Sequence, residues 1–221
     1  MTRIEFEHQL QALRDDVVTM ASMVDKAIAR SIEALQRQDV HAAHEIIAAD
    51  RAINDHRWRT EEQALLVIAT QAPMASDLRT IAAVIHIVTD MERMADHAAG
   101  IAKIVRETAS EPLLKPLVDI PRMGDLARVM LADSITAFIA GDAEAAREVA
   151  LRDDRVDELY DQIYRELLTF MLADPATINR ATHLLWAAHN VERIGDRVTN
   201  ICERVVFAVT GAIEEIGVST Y

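Results

Sequence analysis

Glu92 and Asp96 in "DMERMAD" (Asp90–Asp96), and Glu192 and Asp196 in "NVERIGD" (Asn190–Asp196), are acidic pairs four residues apart, each set in an otherwise apolar run. On a helix, four residues return to one face after a rise of about 6 Å, so each pair sets two carboxylates side by side. Asp50 and Asn54 in "DRAIN", and Asp153 and Asp157 in "DDRVD", repeat the spacing. If the helices that carry them are antiparallel neighbours, a first site gathers Asp50, Asn54, Glu92 and Asp96, with Asp90 nearby. A second gathers Asp153, Asp157, Glu192 and Asp196, with Asn190 and Asn200 nearby.

Converging carboxylates repel one another unless a cation neutralises them, protonation removes charge, or arginines pair with them. Oxygen donors suit hard or borderline cations such as Mg²⁺, Mn²⁺, Ca²⁺ or iron, more than one per cluster where carboxylates bridge. His97 beside the first site and His189 beside the second widen the choice to Zn²⁺ or Ni²⁺. The rival outcome of the same pattern is a set of solvated ion pairs, with Arg51, Arg93, Arg155, Arg193 and Arg197 answering the acids. Spacing alone leaves both open, because a chain with 36 acids in 221 residues produces such pairs by chance. Recurrence at equivalent places is what chance does not readily supply.

That recurrence extends to the elements around the acids. "IEALQRQDVHAAHEIIAADRAIN" (Ile32–Asn54) aligns without a gap on "ITAFIAGDAEAAREVALRDDRVD" (Ile135–Asp157) at an offset of 103, and the acidic motifs follow at an offset of 100. The chain is a tandem duplication. Between the copies, Ser110–Gly124 holds three of the five prolines, a density helices rarely tolerate. The expected division is residues 1–110, a connection at 111–124, and residues 125–221.

Each copy reads as three helices. Asp39 and Asp142 stand where a first helix ends and a second begins, as N-caps, and Asp174 with Pro175 opens a third. The expected spans are Thr2–Arg37, Val40–Thr70 and Ala75–Thr108, then Met123–Ala140, Ala143–Leu172 and Pro175–Val209. Apolar residues at three and four spacing, as in Ile81, Val84, Ile85, Val88 and Met91, mark one buried face. Short connections make the helices antiparallel neighbours. The fold class is therefore all-α, two three-helix bundles related by pseudo-twofold or translational symmetry.

Composition agrees. Hydrophobic residues are 51% and aromatics 4%, so the core is built from Ala, Leu, Ile, Val and Met. A net charge of −13 disfavours nucleic acid and anionic lipid as partners, leaving the membrane to be reached only through another protein. No apolar run reaches a membrane span's length of roughly 20 residues. The start "MTRIEFEHQL" lacks a cationic or apolar signal segment, so the expected location is the cytoplasm.

Cys202, the single cysteine, is expected as a buried helix residue. His41 and His44 are expected at a solvated helix start, and Trp58 and Trp186 as packing or interface residues. Gly195 in mid-helix costs roughly 1 kcal/mol relative to Ala, which a close neighbour or room for a cluster would justify; Ala95 fills its place in the first copy. No Gly-rich phosphate loop and no Ser/His/Asp arrangement is present, so no catalysis is expected.

"SDLRTIAAVIHIVTDMERMADHAAGIAKI" and "ATHLLWAAHNVERIGDRVTNICERV", with "AADRAIN" and "RDDRVDELY", resemble the PhoU phosphate-signalling family, whose pattern is a duplicated Asp-Leu-Glu-Arg-Ile-Gly-Asp-x-x-x-Asn-Ile. The likeness runs along essentially the whole chain. It implies a cytoplasmic, often homodimeric protein that represses the phosphate-starvation response by coupling the high-affinity phosphate ABC transporter and its ATPase to a sensor histidine kinase. It also implies metal ions or clusters at the repeated acidic motifs, the metal differing between members. Glu92, Asp96, Glu192 and Asp196 match the motif acids, Asp90 its leading Asp and Asn200 its closing Asn. The chain departs at Gly100, which replaces that Asn, at Asn190, which replaces the leading Asp, and at Asn54, which replaces an acid. The first site thus has the fewer acidic ligands. A ferritin-like di-iron enzyme would need Glu-x-x-His on two helices, and only Glu5 with His8 has that spacing. A metal-free helical adaptor remains the alternative.

Overall fold

The computed structural model describes residues 3–216, and all its regular structure there is helical: α1 (Arg3–Arg37), α2 (Val40–Gln71), α3 (Ser76–Thr108), α4 (Asp119–Ala140), α5 (Ala143–Ala150), α6 (Asp153–Ala173) and α7 (Ile178–Thr210). Thr2, the expected start of the first helix, lies outside the described residues. α1 shows why these segments are helices: Leu10, Leu13, Val17, Met20, Val24 and Ile28 recur at three and four spacing and are all buried. The N-caps fall where the aspartates stand. Asp39 accepts from Ala42 N at 2.9 Å, Asp142 from Ala145 N at 3.0 Å and Asp174 from Ala176 N at 3.0 Å.

Three boundaries differ from expectation by more than one residue. α4 begins at Asp119, so the connection is shorter than 111–124; Pro121 sits in the first turn, where a missing N–H costs no helical bond. A single 3-10 turn, Pro175–Thr177, precedes α7. The expected helix Ala143–Leu172 is broken at Leu151–Arg152. There Arg152 N bonds Val149 O at 3.0 Å and Arg155 N bonds Arg152 O at 3.1 Å, so tighter three-residue links replace the α-helical ones. The break makes Asp153 the first residue of α6.

α1 and α2 pack on α3; α4, α5 and α6 pack on α7. The two bundles then join along α3 against α7, the most extensive helix pair, and along α1 against α4, over one continuous apolar core. Asp90 of α3 meets Arg197 and Asn200 of α7, and Asn190 of α7 meets His97 and Gly100 of α3. Such reciprocal contacts between equivalent positions define a twofold relation, which settles the choice against translation. At the α1–α4 contact the equivalent residues Asp25 and Arg128 face each other, with Arg128 Nε donating to Asp25 Oδ1 at 2.7 Å and Nη2 to Oδ2 at 3.2 Å. Among the described residues no helix is long and apolar enough to cross a membrane.

Candidate functional site

In the second repeat, the turn at Arg152 delivers Asp153 inward at the start of α6. Thr199 Oγ1 of α7 donates to its Oδ2 at 3.2 Å, while its Oδ1 is buried and accepts no hydrogen bond. Gly195 makes this placement feasible, because a Cβ there would stand 2.4 Å from Asp153 Oδ1. Of the two justifications for a mid-helix glycine, room for the cluster is the one found. Asp157 lies one turn along α6. Burial, then the charges of Asp157 and Asp196, push the Asp153 carboxyl up to about 7. Burial, then Glu192 and Asp196, push Asp157 up to about 6. Asp196 is raised as well, by burial and then by Glu192. These four carboxylates share one electrostatic neighbourhood.

Arg193 partly answers them. Its guanidinium forks onto Glu192 (Nε to Oε2 2.8 Å, Nη2 to Oε1 2.7 Å) and reaches Asp196 Oδ2 at 2.9 Å. His189 stands beside the site as expected, its Nδ1 3.2 Å from Glu192 Oε2.

The first repeat assembles the equivalent set with fewer charges. Asn54 Nδ2 donates to Asp50 Oδ2 at 3.2 Å, and Asp50 Oδ1, Asn54 Oδ1 and Glu92 Oε2 are buried oxygens that accept no hydrogen bond. Burial, then the charge of Asp96, raises the pKa of both Asp50 and Glu92. Arg93 lies 3.5 Å from Glu92 Oε2 and 3.2 Å from Asp96 Oδ2, the weaker counterpart of the Arg193 fork. Arg57, which the sequence reading missed, adds a contact at 3.8 Å to Glu92 and bonds Glu61 at 2.9 Å. The i,i+4 spacing of Arg57 and Glu61 was the available signal. Thr199, also missed, had none beyond its place one turn from Asp196.

The arginines expected to pair with the clusters divide: Arg93 and Arg193 do, whereas Arg155 pairs with Glu158, Arg197 with Asp90 at 3.4 Å, and Arg51 is exposed and makes no ion pair among the described residues. Asp90 and Asn200, expected near opposite sites, are joined to each other, Asn200 Nδ2 donating to Asp90 Oδ1 at 3.3 Å. Burial raises Asp90, while Asn200 and Arg197 oppose it. Asn190 likewise crosses the seam, accepting from His97 Nδ1 at 3.0 Å, so His97 serves the α3–α7 contact. Burial holds its pKa below the usual imidazole value. Gly100 accommodates this contact, since a Cβ there would lie 2.9 Å from Asn190 Oδ1. Cys202 is fully buried, its thiol pushed up to about 12, and is thus an unreactive packing residue.

Among the described residues no three His, Cys, Asp or Glu side chains stand, as placed, in an arrangement that would hold a metal ion. The donor chemistry nevertheless fits one. Asp50, Asn54, Glu92 and Asp153 each keep a buried oxygen without a hydrogen-bond donor, a costly state that a hard cation relieves.

The PhoU domain model matches this chain twice, at residues 17–105 and 120–205, the two halves of the duplication. The chain belongs to the PhoU family. A PhoU homologue of Clostridium acetobutylicum, called a phosphate-specific transport system accessory protein, is 40% identical over 212 residues, 96% of this chain and 97% of that protein. One from Aquifex aeolicus with the same description is 41% identical, covering 84% of each chain. The crystal structure of the phosphate transport system regulatory protein PhoU from Streptococcus pneumoniae superposes with a TM-score of 0.89 at 31% identity, over 96% of this chain and all of that one. PhoU from Pseudomonas aeruginosa gives the same TM-score and identity over 94% and 100%. The all-α tandem fold of the PhoU family is thus shared along nearly its whole length.

Proposed function

We propose that this chain acts in the cytoplasm as a negative regulator of the phosphate-starvation response, an adaptor between the ATPase of a phosphate ABC transporter and a sensor histidine kinase, with metal ions held at its two acidic clusters. Family membership and the descriptions of the relatives support the phosphate-transport part. The observation that carries the metal part is the set of buried oxygens without hydrogen-bond donors, drawn from both repeats.

Asp50, Asn54, Glu92 and Asp96 would hold one group of ions, and Asp153, Asp157, Glu192 and Asp196 the other, among Mg, Mn, Fe, Zn and Ni. Asp90 and Asn200, bonded to each other, brace α3 on α7 instead. A bound cation supplies the positive charge that holds mutually repelling carboxylates together. Exposed apolar side chains, Trp58, Leu65 and Leu66 on α2 and Ile178 and Trp186 on α7, provide surface for partners or a second copy.

The Arg193 fork favours a second reading, in which the arginines complete the neutralisation and the adaptor is metal-free. Elemental analysis of the untagged protein before and after chelation, with particle mass measured alongside, separates the two. Near-stoichiometric metal per repeat, reduced by Glu192→Ala with Asp196→Ala at unchanged helicity, is the expected result. Absence of metal from the folded protein would sink the metal part. For the regulatory part, deleting the gene should switch on phosphate-starvation genes in ample phosphate; unchanged expression would reject it.

A further inference from the structure

Between α1 and α2 the first repeat opens a surface cavity of about 230 Å³. Its walls are apolar, with Met23 and Ala27 on one side and Ile46 and Ile53 on the other, while Lys26 and Arg30 stand exposed at the mouth. Arg30 shares its charge with Glu45 at 2.5 Å, but Lys26 has no ion-pair partner among the described residues.

The second repeat lines the equivalent place differently. The register is secure: Met20 and Met123 are equivalent and fully buried, as are Ser31 and Ser134, each donating to the carbonyl three residues before it. At that register Ala49 becomes Arg152, Arg30 becomes Asp133, Ala27 becomes the fully buried Met130, and Lys26 becomes Val129. Arg152 and Asp133 pair across the gap at 2.5 Å. An ion pair and a larger side chain thus stand where the first repeat has Ala49, Arg30 and Ala27, and the second repeat has no counterpart of the Lys26 ammonium.

We infer that this cavity binds a small organic monoanion, its apolar body between α1 and α2 and its carboxylate head on Lys26 and Arg30. Asp50 borders the inner end and repels a second negative charge, so the head has one favourable place, the mouth. The volume lies below the ~300–1,000 Å³ of drug-sized pockets, which restricts the body to about one ring or a branched aliphatic group and excludes a nucleotide. On a chain of net charge −13, a local pair of cations above an apolar hollow selects such a ligand against inorganic anions. The inference does not rest on metal binding.

The test uses chelated full-length protein with ¹³C-labelled methionine methyls, titrated with phenylacetate, with benzyl alcohol as the same ring without charge, and with inorganic phosphate as charge without a ring. Phenylacetate should shift the Met23 methyl saturably. Benzyl alcohol should bind at least about tenfold more weakly and phosphate should leave the signal unmoved. Ala49→Arg, which copies the second repeat, should abolish the phenylacetate shift, and Lys26→Val should erase the preference over benzyl alcohol, both at unchanged melting temperature. No saturable shift, equal binding of benzyl alcohol, a Met23 shift with phosphate alone, or full binding in folded Ala49→Arg would each overturn the assignment.

Discussion

Gly195→Ala measures how firmly the second cluster is built. Two effects of similar size oppose each other. Replacing glycine by alanine inside a helix stabilises by ~1 kcal/mol. The new Cβ, however, would stand 2.4 Å from Asp153 Oδ1, so the carboxylate must turn away and give up its bond from Thr199. Losing such a bond costs ~0.5–1.5 kcal/mol. The net change in the native background is therefore expected within about 0.5 kcal/mol of zero. In an Asp153→Ala background nothing obstructs the methyl, and the same substitution should stabilise by the full ~1 kcal/mol. The resulting coupling of ~1 kcal/mol exceeds the ~0.3–0.5 kcal/mol within which independent sites add. Urea unfolding of the four chelated proteins, followed by circular dichroism at constant m-value, gives the cycle. Stabilisation by ~1 kcal/mol in both backgrounds would show that Asp153 is not held against Gly195, and the reasoning would fail.

The pH dependence follows from the same cluster. Asp153 and Asp157 are raised to about 7 and about 6, so the folded chain keeps protons that the unfolded chain has already released. Metal-free protein should then lose stability as pH rises from ~4 through 7, and Asp153→Asn should flatten a melting-temperature profile over that range; an unchanged slope would contradict the carboxyl assignment. Because a cation requires the deprotonated form, stabilisation by added Mn²⁺ should grow over the same window, and pH-independent stabilisation would place the ion elsewhere. Asp90→Ala strips Arg197 and Asn200 of their shared partner across the seam and should cost ~1–3 kcal/mol in chemical unfolding, whereas a loss under about 0.5 kcal/mol would mean the contact contributes little.

The helix pattern and its duplication were legible because both are written in short-range signals: apolar residues at three and four spacing, and aspartates at Asp39, Asp142 and Asp174 that cap the next element. The break at Leu151–Arg152 was not, since what holds Asp153 inward is Thr199 on a helix formed much later in the chain; the paired acids Asp153 and Asp154 were the only local hint. Asp90 was grouped with Glu92 by proximity in sequence. Two residues advance a helix by ~200°, however, so the pair points to nearly opposite faces, and Asp90 reaches α7 while Glu92 turns toward α2. The choice between twofold and translational symmetry required contacts between the halves, which no periodicity within one half encodes.

The pairing of Asp25 with Arg128 at the α1–α4 contact has a consequence for how the duplicated chain assembles. These residues occupy the same position in the two copies and meet face to face, so a first half docked on another first half would set two aspartates against each other, and a second half on a second half two arginines. Halves produced as separate polypeptides would accordingly sort into mixed pairs. The two copies are thus complementary at this contact, where the pair favours the joining of unlike halves.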